Sequence, residues 1–139
     1  MFTNPPDAEI DALLRRAHTI AVVGLSADPA RPSHQVARAL QAFGYRIIPV
    51  TPNADSLLGE RAVPDLDHLD VQVDIVDVFR RSEFVAGLVA DCIRLKLPAL
   101  WLQQGVVDEA AALAARAAGI FTVMDRCLYQ ERARLGRGR

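Results

Sequence analysis

Apolar residues alternate along this chain between short continuous runs and runs spaced by three or four. Ile10, Leu13, Leu14 and Ala17 recur at helical spacing and predict a leading helix within residues 1–18. Asn4 or Asp7 is its candidate cap, and Pro5 or Pro6 is tolerated at its start. Thr19-Ile20-Ala21-Val22-Val23 is nearly continuous and closed by Gly24, as expected of a strand buried on both faces of a parallel sheet. Val36, Leu40 and Phe43 return to helical spacing, and Gly44 ends that helix. Tyr45 to Val50 reads as a second strand, with Pro49 restricting it to an edge or placing the proline at its end. Ala62-Val63 reads as a very short third strand and Val71 to Val78 as a stronger one. Ser82 with Glu83 opens a helix whose face is Val85, Leu88, Val89, Cys92 and Ile93, with Pro98 marking the exit. Leu100-Trp101-Leu102 is a strand, and Ala110, Leu113, Ala114 and Ala117 form a helix stopped by Gly119. A last strand, Ile120 to Met124, and a final helix, Leu128 to Leu135, complete the pattern.

Strands alternating with helices imply right-handed crossovers and predict an α/β fold: a Rossmann-like doubly wound parallel sheet of five to six strands with helices on both faces. With 139 residues and no internal repeat or linker, the chain is expected to be one domain over 1–139, framed by the leading helix and a C-terminal helix and basic tail, 127–139. A net charge of −1 supplies no global field, so neither nucleic acid nor an anionic membrane is an expected partner. No apolar run approaches the roughly 20 residues a bilayer span needs. The N-terminus has no basic region ahead of an apolar stretch, so it does not read as a signal peptide. Cys92 and Cys127 have neither metal-ligand spacing nor the number for a disulfide framework, which points to a reduced, cytoplasmic protein. The tail, with Arg132, Arg134, Arg137 and Arg139 among glycines, reads as a frayed end.

In such a sheet, ligands lie beyond the carboxyl ends of the strands. That rule nominates Gly24 to Ser33, Thr51 to Asn53, Phe79 to Ser82, Gln103 to Gly105 and Asp125 to Cys127. The first segment is the most informative. Gly24 permits close backbone approach to a ligand. Ser33 is a candidate cap for a helix whose free N–H groups attract phosphate, and Arg31 adds a planar, permanently charged donor. The plain alternative is a proline-stiffened connection with a solvated arginine. The loop has only Gly24 of the G-x-G-x-x-G fingerprint, and Val50-Thr51-Pro52-Asn53 lacks the acid that holds an adenosine ribose. Both absences count against NAD without counting against another phosphate-bearing nucleotide.

Other residues are weighed against ordinary roles. Cys92 shares an apolar helix face and reads as buried. Cys127 follows Asp125-Arg126 at a strand end and is either a reactive thiol or an ordinary one. His34 lies in the first turn of the second helix, where it touches ligand or bonds locally. His18 and His68 read as surface residues and Trp101 as core. Arg80 and Arg81 meet a phosphate or pair with acids. No catalytic constellation emerges: there is no nucleophile elbow, no metal-ligand spacing and no Walker sequence.

Several ordered blocks together resemble the small bacterial CoA-binding domain proteins. They are Ala21-Val22-Val23-Gly24-Leu25-Ser26, Pro29-Ala30-Arg31-Pro32-Ser33, Gly44 to Val50, Val73 to Arg80, Trp101 to Val106, and Val123 to Cys127. The resemblance implies a domain related to the CoA-binding domain of the succinyl-CoA synthetase α subunit, with coenzyme A or an acyl-CoA as cofactor. It implies phosphates at the first loop and helix turn (Gly24, Leu25, Ser26, Arg31, Pro32, Ser33, His34). It implies adenosine against Thr51, Pro52, Asn53, Phe79 and Arg80, and a pantetheine arm past Gln103 and Gly105. Such proteins commonly read Val-Asn-Pro after the second strand. Here Val50-Thr51-Pro52 stands instead, with Asn53 as the substitute. The synthetase draws its catalytic histidine from a second domain and a partner subunit, so the resemblance supplies no catalysis.

The leading expectation is therefore a CoA-binding carrier, sensor or regulatory module. The alternatives are an NAD(P)-linked oxidoreductase or redox sensor, an acyl-transfer enzyme using Cys127, and a scaffold that joins a protein partner or a second copy through the basic tail or the Trp101 region.

Overall fold

A computed structural model describes residues 1–136. In chain order its elements are α1 (Asp7–Arg16), β1 (Thr19–Val23), α2 (Pro32–Ala42), β2 (Arg46–Val50), β3 (Ser56–Leu57), β4 (Glu60–Arg61), β5 (Ile75–Val78), α3 (Val85–Arg94), β6 (Ala99–Leu102), α4 (Glu109–Ala117), β7 (Phe121–Val123) and α5 (Leu128–Leu135). Five strands form one parallel sheet in the order β2-β1-β5-β6-β7. The chain therefore builds outward from β1 in one direction, then returns to β1's other side at β5 and builds the opposite way. The expected doubly wound α/β fold is present. No helix among the described residues is long and apolar enough to cross a membrane.

The period of two along each strand divides the core into two layers. Ala21, Val23, Val76, Val78, Leu100 and Leu102 face Val85, Val89 and Cys92 of α3 and Ala111, Ala112 and Ala115 of α4. Ile20, Val22, Ile47, Ile75, Ala99, Trp101 and Val123 face α1, α2 and the first residue of α5, Leu128. Small alanines on α4 let that short helix lie close to the sheet. Trp101 is fully buried, as expected, and its indole N–H donates to the Arg126 carbonyl at 2.9 Å.

Several local expectations are corrected. Ala62-Val63 is not a strand: Val63 makes one parallel bridge to Val50, beside the unforeseen antiparallel hairpin of β3 and β4. Leu58 and Gly59 both have positive φ (53° and 78°), which matches the turn of a two-residue hairpin. The strand foreseen over Val71 to Val78 is limited to β5. Pro49 is tolerated because β2 is an edge strand. Helix α1 begins after Pro6 without a side-chain cap. Asn4 instead accepts from the Met124 N–H (2.8 Å) and donates to the Met124 carbonyl (2.9 Å). The basic tail is engaged as far as it is described. Arg134 pairs with Asp7 and Glu131, and Arg132 lies over the Phe43 ring and donates to the Tyr45 hydroxyl. Arg137 and Arg139 lie outside the described residues.

One core position breaks the apolar pattern. Asp77 shares a register row with Val22 and Trp101, is fully buried, and neither carboxyl oxygen has a partner. Desolvation pushes its pKa well above the ordinary value of 3.8. As pH rises past that ordinary value, the unfolded chain releases the proton and the folded chain holds it, so stability falls with rising pH. Asp77→Asn removes this dependence. Urea denaturation across pH 4 to 8 (about the span between carboxylate and neutral titration) should show the wild type losing stability relative to the variant as pH increases. Parallel profiles would assign the buried carboxyl no such part.

Candidate functional site

The strand order reverses between β1 and β5, where the loops leaving their carboxyl ends diverge to opposite faces and leave a crevice. A cleft of about 1380 Å³ lies there. It is larger than the roughly 300–1,000 Å³ of an ordinary small-molecule pocket, which suits an elongated ligand. Its walls run along the sheet's carboxyl edge: residues 51–54 after β2, 24–28 and 31–33 after β1, 79–81 after β5, and Gln103, Gln104 and Val106 after β6, with Cys127 and Gln130 at the start of α5.

Of the residues expected from sequence, Gly24, Leu25, Ser26, Arg31, Pro32, Ser33, Thr51, Pro52, Asn53, Phe79, Arg80 and Gln103 border this cleft. His34 and Gly105 do not. The His34 ring is buried, with Nδ1 2.9 Å from the Ser26 carbonyl oxygen, so it braces the loop from behind. The Gly105 N–H donates to Asp125 Oδ1 at 2.8 Å, and that contact joins the loops after β6 and β7. Asp28, within the nominated first loop, also lines the cleft, whereas sequence reasoning missed Pro64, Asp65, Leu66, Leu88 and Asp91 there. Leu88 was legible only as a residue of a helix face. Pro64 and Leu66 reach the site from a connection with no recognisable period.

The first loop is built differently from its expected form. Pro32 occupies the first helical position, so the N-cap falls on Arg31, and no side chain caps α2. Ser33 is not the cap: its Oγ accepts the Ser26 N–H at 3.0 Å and draws the loop over the helix start. Asp28 closes a local turn, accepting the Ala30 N–H at 2.9 Å. Gly24 is required by the protein itself. At φ 84°, a Cβ there would stand 2.4 Å from the Phe79 carbonyl oxygen. The loops after β1 and β5 touch backbone to backbone at the crevice floor.

The charges on the walls are unequal in availability. Asp28 is held in its turn, Asp65 lies 2.6 Å from His68 Nδ1, and Asp91 pairs with Arg94 at 2.8 Å. Arg81 stands 3.5 Å from Glu83, while Arg80 lies over the Phe84 ring at 4.2 Å. Arg31 makes no ion pair among the described residues. The first turn of α2 carries no acid, so its positive end is unopposed by a side chain. Arg31 and an uncapped helix start give this part of the cleft donors of the kind that suit an anion. Cys92 has no part in it: burial pushes its thiol pKa up to about 12.

A doubly wound sheet with a polar cleft at its reversal point has the form of a nucleotide-binding domain, and comparison with known proteins specifies the nucleotide. The family model of the CoA binding domain matches residues 18–133, so the chain belongs to that family, whose ligand is coenzyme A or an acyl-CoA. The chain is 46% identical over 125 residues to the uncharacterized protein YneT of Bacillus subtilis (strain 168), covering 90% of this chain and 93% of that one. It superposes on the structure of cell-free ID.343 from Thermus thermophilus with a TM-score of 0.90 and 41% identity, over 94% of this chain and 99% of that one. A hypothetical protein from Pyrococcus horikoshii OT3 gives a TM-score of 0.88 and 28% identity, over 97% and 99%.

Gly24→Ala is expected to destabilise the fold by at least about 2 kcal/mol, through positive-φ strain and the clash with Phe79. Chemical denaturation checks this. A variant as stable as wild type would show that the two loops separate freely.

Proposed function

We propose that the cleft holds coenzyme A or an acyl-CoA with its pyrophosphate on the first turn of α2 and Arg31, and that the chain acts as one binding unit, a carrier, sensor or regulatory module. The observation that carries this reading is the acid-free start of α2 with no side-chain cap, whose N-cap residue Arg31 makes no ion pair among the described residues, inside a cleft of about 1380 Å³. The donor set fits the group. Backbone N–H groups and Arg31 suit phosphate oxygens. Arg80 and Arg81 stand across the crevice for further phosphate charge. Thr51, Pro52, Asn53, Pro64 and Leu66 form the wall toward β2, which suits the adenosine end. The wall toward β6 and α5 then takes the pantetheine arm.

The module reading rests on the lining itself. No histidine borders the cleft, and its three carboxylates are engaged elsewhere, so no general base stands beside Ser26, Ser33, Thr51 or Cys127. Binding, orientation and release are what these residues are equipped to do.

Calorimetric titration with CoA, acetyl-CoA, 3′-dephospho-CoA and NADH tests the proposal. CoA should bind more tightly than NADH, and dephospho-CoA more weakly than CoA if Arg80 or Arg81 meets the 3′-phosphate. Arg31→Ala should weaken CoA binding by about tenfold or more, the worth of one charge-assisted contact. Unchanged affinity in that variant, or tighter binding of NADH, would overturn the assignment.

A further inference from the structure

The end of the cleft toward α5, where the pantetheine arm would lie, holds two side-chain groups without a protein partner among the described residues. Cys127, half-buried, is the N-cap of α5 and borders the cleft, and no side-chain hydrogen bond engages its thiol there. Gln103 is 5% exposed, and its Oε1 accepts the Leu128 N–H at 3.0 Å. That backbone donor fixes which end of the amide is oxygen. The Gln103 Nε2 donates to no protein acceptor among the described residues. It is also absent from the fully buried unpartnered atoms, which belong to Asp77. The space Gln103 borders is the cleft, so its free donor opens there, and its bonded partner Leu128 is the residue that follows Cys127.

We infer that this end of the cleft is a thiol-exchange site, in which Cys127 forms a reversible mixed disulfide with coenzyme A while the Gln103 amide donates to a carbonyl of the pantetheine arm. The inference rests on the CoA reading above. With phosphates on α2, the arm's thiol is the part of the cofactor directed toward β6 and α5. The co-reactant is a disulfide of CoA. The Cys127 thiolate attacks one of its sulfurs, a Cys127–S–S–CoA bond forms, the original S–S bond breaks, and the second CoA leaves as a thiolate that takes a proton from solvent. Exchange needs only a thiolate and an aligned disulfide. The adduct would lock the cofactor in place under oxidising conditions and release it on reduction.

Intact-protein mass spectrometry of the full chain with CoA disulfide or glutathione disulfide tests this, with peptide mapping to separate Cys127 from Cys92. Binding of the cofactor portion should raise the local concentration of the disulfide, so CoA disulfide should react about tenfold faster or more than glutathione disulfide. The adduct should map to Cys127, vanish in Cys127→Ser, and be reversed by dithiothreitol. Gln103→Glu keeps an acceptor for Leu128 and removes the donor, so it should lower the rate with CoA disulfide by a larger factor than the rate with glutathione disulfide. Equal rates for the two disulfides, no adduct, or an adduct on Cys92 would overturn the exchange site. Full CoA preference in Gln103→Glu would remove Gln103 from it. Calorimetry of the reduced wild type with CoA separates the two claims. Binding without adduct defeats only the exchange site, whereas no binding defeats the CoA reading itself.

Discussion

The backbone contact between Gly24 and Phe79 is the constraint on which the site depends. At the reversal of strand order, the loops after β1 and β5 leave toward opposite helix layers, yet their first residues must lie almost against one another. Val23 and Val50 carbonyls accept from Phe79 and Gly24 at 2.9 and 3.0 Å, so the sheet's hydrogen bonding continues one residue past the strands. Only a residue without a Cβ fits between them. The crevice thus has a rigid floor, and α2 starts at a fixed height above it.

From that floor the electrostatics follow. The loop between Gly24 and α2 uses its own polar groups on itself: Ser33 holds the Ser26 N–H, His34 meets the Ser26 carbonyl, and Asp28 closes a turn. This self-satisfaction leaves the helix start and Arg31 uncommitted. An anion there meets donors already in position, which reduces the ordering that binding would otherwise require.

Much of this was legible in the sequence, because continuous apolar runs and amphipathic helices have distinct periods and five of the runs became the sheet. The loop after β1 was also legible, since strand, loop and helix lie consecutively. What escaped depended on contacts distant in sequence or on elements too short to show a period. The β3–β4 hairpin has two residues per strand and Leu58 in a position that glycine or asparagine would have advertised. Ser33 looked like a cap, but the helix starts at Pro32, two residues earlier than that cap implies. Asp77 was invisible within an apolar run. The arrangement around Gln103 exists only because α5 packs its first N–H onto a side chain 25 residues earlier. Pro64 and Leu66 joined the cleft through tertiary placement alone.

Asn4 completes the picture from the far end of the sheet. An open sheet has two edges, each a row of backbone groups that another extended chain could join. Beside β2, Pro49 lacks a donor and Val63 takes one bridging position. Just past β7, the Asn4 amide occupies both the N–H and the carbonyl of Met124, standing in for a strand with a single side chain. Phe2, under Arg116, anchors this strap against α4. Strand-by-strand growth of the sheet into a fibre or a swapped dimer must first displace these plugs, so a proline obstructs one edge and an asparagine the other.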